Sequence, residues 1–186
     1  MPVQIKTPRL LLREFVTSDW KAVREYQSDP LYLRYNTSHQ CTELDARAFV
    51  ARFVGQQQEQ PRTKFQLAIL LPEDRRLIGN CGLRRKDLSS REGSIGYELD
   101  PRYWGQGYAT EAAREMLRFG FEENRLHRIW AECVAENIGS ARVLEKIGMQ
   151  REGCLREKAF YKGKWWDSLR YAVLEHEWRA SQGEQY

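Results

Sequence analysis

WGQGYATEA, residues 104–112, is the stretch of this sequence that decides the fold. The preceding residues 94–99 have the composition of a strand, Asp100 and Pro101 break it, and apolar residues recur at helical spacing over 109–124. The two glycines therefore lie where a strand ends and a helix begins. Unpaired N–H groups of the first helical turn and the positive end of the helix dipole would face a ligand there. The pattern is typical of a phosphate cradle, although such a turn can also serve tight packing.

The glycine turn differs from the two most familiar phosphate-binding motifs. No Lys-Ser or Lys-Thr pair follows the glycines, as it does in a nucleoside-triphosphate P-loop. The spacing of the glycines also differs from that of the dinucleotide fingerprint. The sequence thus predicts a cradle for a pyrophosphate of another kind.

Length and composition predict one domain over residues 1–186. With 41% hydrophobic and 12% aromatic residues the chain can bury one core, and 186 residues are too few for two ordinary domains. The net charge of +4 and the isoelectric point near 8.9 suit an anionic ligand, but the charges are spread along the chain. We therefore expect no nucleic-acid partner.

Cysteine usage and apolar runs exclude further classes. Cys41, Cys81, Cys133 and Cys154 are far apart, with no paired spacing and no histidine cluster, so neither a metal site nor a disulfide framework is predicted. No basic segment followed by an apolar run opens the sequence, and no stretch approaches the roughly 18 apolar residues of a membrane span. We expect a cytoplasmic protein with no membrane partner.

The hydrophobic pattern predicts a mixed α/β sheet. Strands are expected at 7–15, 64–71, 76–83, 94–99, 127–134, 151–161 and 165–173, and helices at 20–26, 44–54, 109–124 and 140–147. This order combines a three-stranded meander and a final hairpin with a βαβ crossover around the cradle helix. A ligand should bind where the strand order changes, beside the N-terminus of that helix.

Several separated motifs follow one another in a fixed order. They are Thr7-Pro8-Arg9-Leu10 with Leu12-Arg13, Ile95-Gly96-Tyr97, the glycine turn from Tyr103, Asn137 with Ser140, Leu144 to Met149, Glu152-Gly153, Leu155-Arg156, and Gly163-Lys164 with Asp167 and Tyr171. Together they resemble the GNAT superfamily of N-acetyltransferases, and more narrowly its RimJ/RimL-type branch. The resemblance implies one N-acetyltransferase domain with a seven-stranded, mostly antiparallel sheet, about four flanking helices and a splay at the acetyl-CoA cleft.

The acetyl-CoA loop of the superfamily usually has the consensus Gln/Arg-x-x-Gly-x-Gly/Ala. The register Trp104-x-x-Gly107-x-Ala109 fits the branch and the helix start, and Trp104 departs from its first position. Arg102-x-x-Gly105-x-Gly107 also matches the letters. The first register implies pyrophosphate binding by the main-chain amides of Gln106, Gly107, Tyr108, Ala109 and Thr110, with a side-chain contact from Trp104.

The resemblance also implies acetyl-CoA as the cofactor, without a metal. Asn137 would hydrogen-bond the pantetheine arm, and Ser140 would protonate the leaving thiolate. The alternative is that Asn137 only caps a helix in which Ser140 occupies the first turn. Arg142 or Lys146 would meet the ribose phosphate.

Direct transfer of acetyl to an amine, without a covalent enzyme intermediate, is the activity that the resemblance implies. The amide of Leu99 would contact the thioester carbonyl and the pantetheine arm. Glu98 is the first candidate for taking the proton from the amine, directly or through water, and an exposed strand glutamate is the alternative. Glu157 is the second candidate, although Ala159 holds the position that aligns most closely.

The acceptor side is predicted to be aromatic. Tyr32, Tyr35, Trp165 and Trp166 flank it, and Asp167 either binds a cationic acceptor or structures the hairpin. The branch suggests the α-amine at a protein N-terminus as the acceptor. Two alternatives stay open: a small amine such as a polyamine, aminoglycoside or amino-acid-like metabolite, and a catalytically silent acyl-CoA sensor. The sequence is compatible with a monomer or a homodimer.

Overall fold

An eight-stranded mixed sheet organises the chain in a computed structural model that describes residues 2–183. Along the sheet the strands follow the order β1-β2-β3-β4-β5-β6-β8-β7. The mixed α/β class is confirmed, but the predicted number of seven strands is wrong, because the three-residue β1 is too short to show an alternating pattern. The strands are β1 Gln4–Lys6, β2 Leu11–Glu14, β3 Lys64–Leu70, β4 Leu77–Arg85, β5 Glu92–Leu99, β6 Arg128–Val134, β7 Gln150–Tyr161 and β8 Lys164–Leu174.

Within residues 2–183, six α-helices flank the sheet, more than the predicted number of about four. They are α1 Trp20–Gln27, α2 Pro30–Leu33, α3 Glu43–Gln56, α4 Tyr108–Arg118, α5 Ile138–Lys146 and α6 Glu175–Ser181. The single turn α2 begins at Pro30, which favours a first helical position, and the Asp29 carboxylate accepts from the Leu31 N–H. The helix α4 ends earlier than predicted and continues as a π-helical turn, Phe119–Glu123.

The sheet opens at one place along β5. Strands β2 to β5 form an antiparallel meander, and β5 and β6 are parallel, as the predicted crossover requires. This parallel pairing joins only residues 92–94 to residues 128–130. From Ile95 to Leu99, β5 is paired with β4 alone, so a gap opens between β5 and β6 beside the start of α4.

Two apolar clusters cover the two faces of the sheet. One contains Leu67, Leu99 and Met116 and includes the residues of α4 and α5, and the other contains Val23 of α1 and Phe53 of α3. Because side chains alternate along a strand, consecutive residues at the end of β5 point to different faces. Among residues 2–183, no helix is long and apolar enough to cross a membrane, and no group of three His, Cys, Asp or Glu side chains could hold a metal ion.

Candidate active site

A cavity of about 970 Å³ opens between α2, the end of β5 and the N-termini of α4 and α5. Its size lies within the range of small-molecule sites, roughly 300–1,000 Å³. The predicted site residues that line it are Tyr32, Tyr35, Glu98, Leu99, Trp104, Gly107, Tyr108, Ala109, Thr110, Asn137, Ser140, Arg142 and Lys146. Gln106, Glu157, Trp165 and Asp167 lie outside its lining.

The N-terminus of α4 forms a cradle of main-chain amides. Gly107 precedes the helix with φ of 83°, a left-handed conformation that an L side chain rarely adopts. Hydrogen bonding within the helix begins when the Glu111 N–H donates to the Gly107 carbonyl. The N–H groups of Tyr108, Ala109 and Thr110 therefore have no partner within the helix. Together with the helix dipole, they fit the diphosphate of a coenzyme A carrier.

Arg9 braces this cradle, a contact that sequence reasoning missed although the residue stands in the quoted N-terminal motif. Glu111 places a carboxylate in the first turn of α4, where it would repel a bound anion. Arg9 pairs with it at 2.6 Å, and the Thr7 hydroxyl donates to it at 2.6 Å. Burial raises the pKa of Glu111, but these hydrogen bonds outweigh burial and leave the pKa lowered. Arg9 also donates to the Gln106 carbonyl at 3.0 Å, which fixes the glycine turn.

The end of β5 presents backbone groups to the gap. The Asp100 N–H donates to the Ile78 carbonyl of β4, so in an antiparallel ladder the Leu99 N–H lies on the opposite edge, toward β6. The Leu99 carbonyl accepts from the indole N–H of Trp104 at 2.8 Å. Trp104 thus fixes the strand end, and its half-exposed ring forms an apolar wall of the cavity.

Asn137 and Ser140 stand at the start of α5. The Asn137 side-chain oxygen accepts from the Ser140 N–H at 3.1 Å, so Asn137 caps the helix and its amide group can donate elsewhere. The Tyr97 hydroxyl donates to the Ser140 carbonyl at 2.9 Å, and its oxygen lies 3.0 Å from Ser140 Oγ. Tyr97 is a cavity residue that sequence reasoning left without a role; burial raises its pKa, so it stays neutral.

Donors from three other elements surround the Glu98 carboxylate. Its Oε1 accepts from the Tyr26 hydroxyl at 2.8 Å, from the Gln27 amide at 2.9 Å and from the Asn80 amide. Its Oε2 accepts from the Tyr32 hydroxyl. Oε1 is thus saturated, whereas Oε2 keeps a lone pair for a further proton. Glu98 lines the cavity and is not a free surface side chain.

The tyrosines Tyr26 and Tyr32 are donors because they keep their protons. Burial, followed by the charge of Glu98, raises the pKa of each hydroxyl well above its usual value. Their rings meet edge to face, with centroids 5.5 Å apart. Two neutral hydroxyl donors from neighbouring helices thus hold the Glu98 carboxylate in place.

Residues 33–36 close the acceptor end of the cavity against the β7–β8 hairpin. The Tyr35 hydroxyl donates to the Glu136 carbonyl at 2.9 Å, and the Tyr161 hydroxyl donates to the Tyr35 carbonyl at 3.1 Å. Lys162 donates to the Leu33 carbonyl at 2.5 Å. Trp166 packs edge-on against Tyr35, so two of the four aromatic residues predicted on the acceptor side are in contact.

The structure places the remaining predicted residues on the hairpin. Trp165 is exposed and packs on Phe160. The Asp167 carboxylate accepts from the Glu157 N–H at 2.7 Å, at an irregularity of β7 where Glu157 has φ of 48°. Asp167 therefore structures the hairpin, and contacts of these three residues with an acceptor stay predictions.

Comparison with known proteins identifies the family. Residues 9–150 match the family model described as an acetyltransferase (GNAT) domain. Over 177 residues the chain is 43% identical to the uncharacterised N-acetyltransferase YnaD of Bacillus subtilis, covering 95% of this chain and 99% of YnaD. The chain therefore belongs to the GNAT family, and it is an acetyltransferase.

Solved structures agree with this assignment. A GNAT-family acetyltransferase from Bacillus anthracis superposes with a TM-score of 0.82 at 37% identity, over 94% of this chain and 99% of that chain. RimL, a ribosomal-protein α-N-acetyltransferase in complex with coenzyme A, superposes with a TM-score of 0.81 over 92% of this chain and 98% of RimL. At 18% identity, that likeness concerns the fold alone, and membership of the RimJ/RimL-type branch stays a prediction.

Proposed function

We propose that this enzyme transfers acetyl from acetyl-CoA directly to a primary amine, and that its acceptor is the N-terminal α-amine of a protein. The observation that carries the proposal is the continuity of the cavity. It extends from the amide cradle at α4, past the gap between β5 and β6, to the Glu98 carboxylate. A carrier held at the cradle and an amine held at Glu98 would meet at the gap.

The donor end suits the successive parts of a coenzyme A molecule. Acetyl-CoA supplies, when bound, an acetyl group activated as a thioester. The amides of residues 106–110 hold the diphosphate, and the Asn137 amide group, which capping leaves free to donate, contacts the pantetheine arm. Arg142 and Lys146 line the same cavity and offer cations to the ribose phosphate.

Three groups divide the chemistry between them. Glu98 Oε2 accepts the proton of the amine, directly or through a water molecule. The Leu99 N–H, which faces the gap, donates to the acetyl carbonyl oxygen and stabilises the charge that develops there. The Ser140 hydroxyl gives its proton to the departing sulfur and takes up a proton from water in the cavity in the same step, while Tyr97 holds that hydroxyl in place.

A single cationic group fits the acceptor end. Of the described residues that line the cavity, only Glu98 and Glu136 are acidic, and Glu136 pairs with Lys164. A polyamine would need several free carboxylates, whereas an N-terminal amine needs one. RimL, which acts on an α-amine of a ribosomal protein, supports this choice as a neighbour in fold.

A small amine is the second candidate, and one observation favours it. The hydrogen bonds between residues 33–36, the hairpin and the Glu136 carbonyl bound the acceptor end. A bounded end suits an acceptor that enters completely, whereas a protein N-terminus needs an open path for the chain behind it.

Thiol release from acetyl-CoA in the presence of a panel of acceptors tests the proposal. The panel pairs each peptide that has a free N-terminus and one lysine with the same peptide blocked at its α-amine, beside spermidine, an aminoglycoside and free amino acids. We expect turnover with the free peptides and none with their blocked counterparts. Turnover confined to small amines would instead establish the second candidate, and binding of acetyl-CoA without turnover on any acceptor would contradict both.

A further inference from the structure

A chain of buried polar side chains connects Glu98 to a cation on the next strand. Arg84 donates to the side-chain oxygen of Gln66, and the Gln66 amide donates to the side-chain oxygen of Asn80 at 2.5 Å. The Asn80 amide donates in turn to the Glu98 carboxylate and, at 3.0 Å, to the Tyr26 hydroxyl. Gln66 and Asn80 are only 5% and 2% exposed, so water cannot replace these hydrogen bonds.

The sheet leaves space for this chain by means of glycine. In the strand register, Gln66 stands opposite Gly82, and Gly82 stands opposite Gly96. A Cβ at Gly82 would lie 2.2 Å from the Gln66 side-chain oxygen, and a Cβ at Gly96 would lie 3.4 Å from the Arg84 guanidinium. The polar side chains thus occupy space on this face of the sheet that any larger residue at Gly82 would fill.

The chemistry of the two ends fixes the direction of every hydrogen bond. A guanidinium can only donate, so Gln66 must turn its oxygen toward Arg84 and its amide group toward Asn80. Asn80 must then turn its own amide group toward Glu98. Without the cation, the Gln66 oxygen has no donor, and only the carboxylate end orients the chain.

We propose that Arg84 is a positioning residue for the reaction: through Gln66 and Asn80 it holds Glu98 in the orientation that faces the cavity. This inference rests on the proposed role of Glu98 as proton acceptor. Arg84 does not touch the substrates, and its influence passes through the two amides.

Other ionisable groups also face Glu98. Tyr26 of α1 and Tyr32 of α2 donate to it, and both remain neutral for the reasons given above. Cys41 lies near enough for the charge of Glu98 to contribute to its raised pKa, after burial and Asp45. Arg84 is the cation of this set. Burial, followed by the charge of Arg52, lowers its pKa below the usual value, and the charge of Glu98 opposes this shift.

The test measures kcat and the KM values for the amine and for acetyl-CoA in the wild type and in Arg84→Met and Gln66→Met. Removal of the cation or of the relay releases the carboxylate from its orientation, so kcat should fall about tenfold while the KM for acetyl-CoA stays within about twofold of wild type. Arg84→Lys should restore part of kcat. Arg52→Met is the matched control, since it removes a neighbouring cation outside the hydrogen-bonded chain, and its kcat should match the wild type.

The double variant Arg84→Met/Gln66→Met separates a relay from a simple charge effect. If the influence of Arg84 passes through Gln66, the kcat of the double variant equals that of Gln66→Met. Losses of kcat that multiply in the double variant, or an unchanged kcat in correctly folded single variants, overturn the inference. Glu98→Gln distinguishes this outcome from failure of the proposed function. Unchanged turnover in Glu98→Gln removes Glu98 as the proton acceptor, whereas lost turnover there with unchanged kcat in the single variants refutes only the relay.

Discussion

The two ends of the cavity are constructed in different ways. The donor end consists of main-chain amides and helix termini in two short segments, residues 104–110 and 137–146, which Arg9 braces from 97 residues away. The acceptor end depends on side chains that are far apart in sequence, since Tyr26 and Tyr32 reach Glu98 across 72 and 66 residues. The first depends on local geometry, and the second depends on the correct assembly of the whole sheet.

Substitution at Glu98 should break the acceptor end most severely. We expect Glu98→Gln to lower kcat at least about 100-fold, because an amide cannot accept the proton of the amine. The affinity for coenzyme A, measured by calorimetry, should stay within about twofold of wild type because the cradle is untouched. Glu136→Gln is the matched control, since it removes the other carboxylate of the cavity lining. Equal losses in both variants would contradict the role of Glu98.

At the junction of the two ends, Ser140→Ala should lower kcat about tenfold. The effect is smaller than at Glu98 because a thiolate is a good leaving group, with a thiol pKa of about 8.5. Binding of coenzyme A should be retained. Tyr97→Phe removes the partner hydroxyl, and we expect a smaller loss than in Ser140→Ala. A larger loss in Tyr97→Phe would move the proton donor from Ser140 to Tyr97.

At the donor end, Arg9→Met should weaken coenzyme A binding about fivefold and leave kcat nearly unchanged. Without the guanidinium, the Glu111 carboxylate stands unneutralised beside the cradle, and the Gln106 carbonyl loses its donor. The coenzyme A affinity of Arg9→Lys should lie between those of the wild type and Arg9→Met, because lysine keeps the charge but loses the planar fork. Calorimetric titration with coenzyme A measures all three. Unaltered affinity in Arg9→Met would remove this residue from the donor end.

The smallest effect that we expect concerns the free energy of unfolding at alkaline pH. The pKa of Tyr26 is raised in the folded protein above its usual value of 10.0, so the stabilising difference is complete below pH 10 and is lost as the pH rises further. For this group the free energy of unfolding should fall by about 1.4 kcal/mol per pH unit there. Urea unfolding at pH 9 to 11 measures the slope, which should be shallower in Tyr26→Phe. Parallel slopes would show that Tyr26 does not contribute.

Local sequence was sufficient to predict the secondary structure of the donor end. The strand, break, glycine turn and helix over 94–118 carry their own signals, and the structure has these elements in that order. Two contacts were not predicted: the indole N–H of Trp104 donates to the Leu99 carbonyl, and Arg9 donates to the Gln106 carbonyl. A letter pattern shows which residue stands at a position but not where its side chain finds a partner.

Long-range assembly explains what sequence reasoning missed. The dependence of Glu98 on Asn80 and Tyr26 follows from strand register and from how α1 lies on the sheet, and neither has a local signature. Leu44 is a second example: it is the first, apolar residue of the helix predicted over 44–54, and its side chain is 76% exposed. The short β1 and α2 were missed because three or four residues cannot display a period.

The opening between β5 and β6 has a kinetic consequence. Tyr97 packs with the cluster on one face of the sheet, and Glu98 is hydrogen-bonded to α1 on the other, so in the proposed reaction acetyl-CoA and the amine would approach the gap from different faces. A continuous sheet would separate its two faces, whereas the gap between β5 and β6 connects them. Acetyl-CoA and the amine can therefore be bound at the same time. We expect intersecting initial-velocity lines, a pattern that indicates binding of both reactants before any product leaves.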